Sequence, residues 1–133
     1  MIKTIMQPVK PHSNKHKVSD LTLRQLDWAV ATALGVTVYI SKQGKLMTAP
    51  YGSFNHRKGA PWWFPSISWE QGGTIIEREE INILNQNRIV AWQRGRETFG
   101  AGGPTPLIAA MRCYVASKLG DDVEIPEEMM EQA

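Results

Sequence analysis

Two groups of residues in this chain have types and spacings that suit molecular recognition. The first is aromatic. Trp62, Trp63, Phe64 and Trp69 fall in or just after a stretch, 49–68, that also holds Pro50, Gly52, Gly59, Pro61 and Pro65 and so resists regular structure. Ring faces beside His56, Arg57 and Lys58 suit either a platform for a nucleobase or the hot spot of a protein interface, and at least one tryptophan is expected to fill core volume.

The second group is the run Gly100-Ala101-Gly102-Gly103-Pro104-Thr105-Pro106, in which Thr105 can cap a helix and Pro106 can occupy its first position. Backbone N–H groups at Gly102 and Gly103 and at a capped helix start attract anions. Arg94 and Arg96 lie just before the run, Arg112 follows two turns into the helix, and Arg78 stands further upstream. No strand leads directly into a GxGxxG turn, so the run is not a dinucleotide-binding fingerprint, and a flexible loop before a helix is its plain alternative. Aromatic faces, arginines and free amides together describe a receptor for a flat ring bearing phosphates, a nucleotide-like small molecule.

Catalytic and metal chemistry find less support. His12, His16 and His56 have neither metal-ligand spacing nor a carboxylate cluster beside them, so no metal and no cofactor is expected. Cys113 sits within an apolar helical stretch with no base implied next to it, which predicts a buried, inert thiol. Glu77, Glu79 and Glu80 around Arg78 can be read as a general acid and base acting with a water on a nucleotide, but the same spacing fits an exposed, charged face. The sequence contains no nucleophile elbow, P-loop or metalloprotease helix, and the protein is read as a non-enzyme.

The elements that position these residues follow from periodicity and capping. Thr22 and Gln25 form a capping box for a helix with Leu23, Leu26, Val30, Ala33 and Leu34 on one stripe, ended by Gly35. Val36 to Ile40 and Lys45 to Thr48 read as a hairpin turning at Gln43-Gly44, and Ile81 to Leu84 and Arg88 to Gln93 as a second one turning at Asn85-Gln86-Asn87. Ser68 caps a short helical turn that Gly72-Gly73 ends. A long helix runs from Pro106 to Leu119, and a short Val123-Glu124-Ile125 segment follows. Two helices and about four strands without βαβ alternation predict an α+β fold, a compact single domain with two main helices packed on a small antiparallel sheet.

The chain has 133 residues, 42% of them hydrophobic, and a net charge of +2, which fits one soluble globular domain and argues against both a disordered polyelectrolyte and a DNA-coating protein. No uncharged stretch is longer than Trp28 to Ser41, which is too short to span a bilayer, and no apolar core follows the N-terminal lysines as a signal peptide requires. No membrane partner is expected, and one cysteine fits a reducing cytoplasm. Charge is uneven: Lys3, Lys10, Lys15 and Lys17 crowd the first twenty residues, and six acids with no base occupy 121–133. Residues 1–20 therefore read as a flexible basic extension, 21–126 as the domain and 127–133 as an acidic tail. With no basic recognition helix, duplex DNA ranks last among partners.

Three segments are similar to a known family. Leu26-Asp27-Trp28-Ala29-Val30-Ala31 ending in Ala33-Leu34-Gly35, Pro65-Ser66 followed by Trp69 to Glu79, and Gly103 to Gly120 resemble the NinX-like proteins of lambdoid and related tailed phages, over roughly residues 21–128. The resemblance implies a small accessory protein of phages and prophages, acting in the infected bacterial cytoplasm, and brings no catalytic residues. With it, the receptor reading becomes a protein that sequesters a nucleotide-derived immune signal. Nanomolar affinity needs about 12 kcal/mol net, after an association cost of about 4 kcal/mol or more, so one exposed loop falls short and a pocket completed by a second subunit is expected. The alternatives are a module that binds a host or phage protein through its tryptophans, and an enzyme that degrades a nucleotide signal.

Overall fold

The computed structural model describes residues 14–48, 62–95 and 100–130. In chain order it contains strand β1 (Lys15–Lys17), a 3-10 turn (Val18–Asp20), helix α1 (Leu23–Leu34), β2 (Val38–Ile40), β3 (Leu46–Thr48), α2 (Trp69–Glu79), β4 (Ile81–Asn85), β5 (Ile89–Gln93), β6 (Gly100–Gly102), α3 (Pro106–Leu119), β7 (Asp122–Glu124) and a second 3-10 turn (Glu127–Met129). The strands form three small antiparallel sheets, β1–β7, β2–β3 and β4–β5–β6, and the fold is α+β.

Local chemistry explains the helix starts. At α1 the Thr22 hydroxyl accepts the Gln25 N–H (3.2 Å) while the Gln25 side chain accepts the Thr22 N–H (3.0 Å), the reciprocal capping box. At α3 the Thr105 hydroxyl accepts the Ile108 N–H at 3.1 Å with Pro106 in the first turn. Buried positions on α3 include Leu107, Ile108, Ala109, Ala110, Met111, Cys113, Tyr114 and Val115, which run around the whole helix. An apolar girdle of that kind belongs to an enclosed helix rather than one resting on a single face. Around it pack α1, α2, the β4–β6 sheet and β7.

Two glycines make this close packing possible. A Cβ on Gly72 would stand 2.5 Å from the Pro65 carbonyl oxygen and 2.9 Å from Leu107, and one on Gly103 would stand 2.9 Å from the Ala109 nitrogen. Gly72-Gly73 therefore does not end a short turn, as the sequence suggests; α2 continues through it to Glu79. Glycine in a helix interior costs about 1 kcal/mol relative to alanine, and here the absent side chain is what lets α2 approach the Pro65 turn and α3.

The ends of the domain also differ from expectation. Residues 15–20 are part of the fold: β1 pairs with β7, and Val18 and Leu21 are buried in the core. Their lysines stand in register with acids, Lys15 opposite Glu124 and Lys17 opposite Asp122, so charges of opposite sign from two segments that read as solvated face each other across the strands. Met129, placed in the acidic tail, is fully buried, and the Gln25 amide donates to its carbonyl at 3.0 Å. The glycine run is not wholly a loop, because Gly100–Gly102 is the third strand of the β4–β6 sheet.

Candidate functional site

The aromatic segment divides into a scaffold and a surface. Trp63 belongs to the core rather than to a ligand platform: it is buried, its indole N–H donates to the Asp27 carbonyl (2.8 Å), and its backbone N–H donates to that of Leu46 (2.9 Å). Gln71 bridges its neighbours, accepting the Phe64 N–H (2.8 Å) and donating to the Trp62 carbonyl (2.7 Å), while Phe64 itself is half-buried. Beneath them the Asp27 carboxylate accepts the N–H (2.8 Å) and hydroxyl (3.0 Å) of Ser66, and burial pushes its pKa up to about 7 against the opposing effect of those two bonds. What remains outside is a patch of Trp62 (47% exposed), Ile67 (59%) and Trp69 (58%), with the Lys45 ammonium 4.2 Å from the Trp62 ring centre.

The predicted cations are dispersed. Arg78 pairs with Glu79 at 3.3 Å, and Glu79 also meets Lys118 (3.8 Å) and the Gln93 amide (3.3 Å). Burial and the nearby Glu79 charge raise the pKa of the Tyr114 hydroxyl, partly opposed by Arg78. Arg78 is nine positions after Trp69, about 14 Å along α2 at 1.5 Å per residue, so the aromatic patch and this ion cluster occupy opposite ends of the helix. Arg94 is exposed and pairs with Glu80 at 3.4 Å. Arg112 donates to the Gly102 carbonyl (2.9 Å), the Gly103 N–H donates to Ile89 (3.3 Å), and Thr105 serves as a helix cap. Arg57 and Arg96 lie outside the described residues. The described candidates do not converge on one pocket.

A different group does come together on the β4–β6 sheet. Ala91 is fully buried toward α3, and its inner-face neighbours Ile83, Ile89 and Ala101 are partly buried against the core. Side chains alternate along a strand, so Val90 and Trp92 fall on the outer face, and Arg88 shares their parity just before β5 begins. On the adjacent strand Gly102 stands opposite Val90 and Gly100 opposite Trp92, and neither presents a side chain. A cleft of about 720 Å³ is bounded by Arg88, Val90, Gly100, Gly102 and Pro104, and Trp92 shares the outer face next to it without lining it. A half-buried indole, a guanidinium and a low glycine wall thus share one surface. Of this group the sequence reading had the glycine run, with Gly102 as a candidate ligand contact, and neither Arg88 nor Trp92. The signal for Trp92 and Arg88 was the alternation Arg88-Val90-Trp92 against buried Ala91, which acquires meaning only once the strand's inner face is known.

Among the described residues no group of three or more His, Cys, Asp or Glu side chains could hold a metal, and no helix is long and apolar enough to cross a membrane. The fold and its clefts define a compact α+β domain with a glycine-edged sheet. Its family is established by sequence: the family described as Bacteriophage P22, NinX matches residues 17–118, and the chain belongs to that family of phage proteins. That agrees with the resemblance carried by the three segments above. No curated protein matches the chain.

Proposed function

We propose that this phage protein is a non-catalytic receptor that binds and sequesters a nucleotide-derived small molecule, an immune-signal sponge acting in the host cytoplasm, on the outer face of the β4–β6 sheet. The observation that carries this reading is the row Arg88, Val90 and Trp92 beside the side-chain-free Gly100 and Gly102. A base stacked on Trp92 contributes about 1–3 kcal/mol, and a phosphate reaching Arg88 adds a charge-assisted hydrogen bond of about 1.5–3 kcal/mol. An open sheet face with these contacts alone is too weak for sequestration, so a second copy of the chain is expected to cover it. Binding without chemistry is supported by the state of the reactive groups: Cys113 is buried, and Glu79 is engaged by Arg78, Lys118 and Gln93. Native mass spectrometry of protein purified from bacteria with active immune signalling tests the reading. A nucleotide-type ligand bound to wild type and lost on Trp92→Ala supports it. An empty protein from cells shown to contain such signals counts against it.

A second reading has its own observation. Trp62, Ile67 and Trp69 stand exposed together over a hydrogen-bonded base, which suits docking on a host or phage protein. A pull-down that loses its partner on Trp62→Ala but not on Trp92→Ala favours that reading.

A further inference from the structure

A second cleft, of about 320 Å³, lies against the same glycine strand and shares Gly100, Ala101 and Gly102 with the first. Lys17, Ser19, Arg112 and Asp121 line it, two cations against one acid. The Gly103 N–H donates to Ile89, which makes Val90 and Gly102 a pair without mutual hydrogen bonds, so the N–H and carbonyl of Gly102 both point to the open edge of the sheet. Arg112 caps that carbonyl through Nη1. Its Nε is buried and, among the described residues, has no hydrogen-bond partner. A guanidinium whose Nη1 is committed in this way keeps the Nε–Nη2 edge, the fork that grips an oxyanion side-on, and the Gly102 N–H lies on the same strand edge as a third donor.

We infer that this second cleft holds a second phosphate of the same ligand, so that the ligand class is a nucleotide with two separate phosphate groups lying across β6. Nε is buried in the structure, so the guanidinium turns about its terminal torsions to present that edge, exchanging its bond to the Gly102 carbonyl for the phosphate. The inference rests on the sheet-face reading above for the base and first phosphate, while the second subsite rests on the unpartnered Arg112 Nε beside the cleft.

Isothermal titration of the full-length protein with adenosine 5′-monophosphate and adenosine 3′,5′-bisphosphate, alongside NMR observation of the Arg112 Nε–H during titration with inorganic pyrophosphate, tests both parts. The expected result is at least tenfold tighter binding of the bisphosphate in wild type and loss of that advantage in Arg112→Lys. That variant keeps a donor for the Gly102 carbonyl but has no fork; Arg112→Gln checks the same loss with the charge removed. Equal binding of the two nucleotides overturns the second subsite and leaves the sheet-face reading intact. If neither nucleotide binds but pyrophosphate shifts the Arg112 resonance, the sheet-face reading fails and the phosphate subsite survives; an unmoved resonance overturns the subsite.

Discussion

The carboxylate of Asp27 on α1 accepts both the backbone N–H and the hydroxyl of Ser66, a residue 39 positions away, while the main-chain carbonyl of the same Asp27 accepts the indole N–H of Trp63. One buried residue thereby ties the aromatic segment to the first helix. Its pKa, about 7 against an ordinary 3.8, means that the folded state takes up this proton more readily than the unfolded chain. The stabilisation is complete below the unfolded value and is lost as pH rises through about 7. Between pH 5 and 8, where ordinary carboxylates are already ionised, wild type should lose on the order of 2–3 kcal/mol. Asp27→Asn keeps an acceptor for Ser66 and should be nearly flat over that range. Urea denaturation at several pH values measures both slopes, and a wild-type protein that grows more stable toward pH 8 would contradict the assignment.

Trp62 and Trp63 are neighbours with opposite expectations. Trp63→Ala should cost about 3–5 kcal/mol, since it empties a core position and leaves the Asp27 carbonyl without its indole donor. Trp62→Ala removes a half-exposed ring and its contact with Lys45, and should cost less than about 1 kcal/mol. Thermal and urea unfolding of the two variants separate scaffold from surface.

The Gly72-Gly73 pair offers a similar contrast within one helix. Gly72→Ala drives a methyl group into the Pro65 carbonyl and Leu107 and should destabilise by about 1–3 kcal/mol. At Gly73 a Cβ finds its nearest neighbour, the Trp69 ring, at 3.7 Å, an ordinary contact, so Gly73→Ala should stabilise by about 0.5–1 kcal/mol. Equal effects in denaturant melts would mean that the close approach of α2 is not what fixes these residues.

Glu80 ends α2 with φ 55°, a left-handed conformation that a residue with a side chain adopts at a cost of about 1–2 kcal/mol. Its exposed pair with Arg94 is worth at most about 1 kcal/mol. Glu80→Asn, which tolerates that conformation, should therefore raise stability by about 0.5 kcal/mol. A loss, read from the shift in denaturation midpoint, would show that the Arg94 pair carries more than an exposed ion pair usually does.

Features governed by neighbours in sequence are the ones legible in the sequence. The caps at Thr22 and Thr105, the end of α1 at Gly35 and the hairpin through Asn85-Gln86-Asn87 depend on residues within a few positions, and each lies within a residue or two of expectation. Long-range pairings were not legible. Nothing near Lys15 or Lys17 announces a strand partner at 122–124, so their charge read as solvation. Nothing near Asp27 announces Ser66, and its place on an apolar helix gave no hint of a buried carboxylate. The candidate site follows the same division. The glycine run and Arg112 stood out by composition, whereas Trp92 became visible only through the register of β5 with Gly100, and Trp63 joined the core because its indole found a distant carbonyl.

Pairing of β1 with β7 sets an order on the birth of the fold. The two strands are about a hundred residues apart, so a nascent chain holds β1 without a partner until residue 124 has cleared the ribosome. Helix α3, around which the rest packs, emerges just before that point. Closing so long a loop is entropically costly until the contacts that reward it are present. Assembly should therefore happen late and in a single step once α3 and β7 have emerged, rather than growing outward from α1, and the elements that precede α3 wait for the centre of the molecule to arrive.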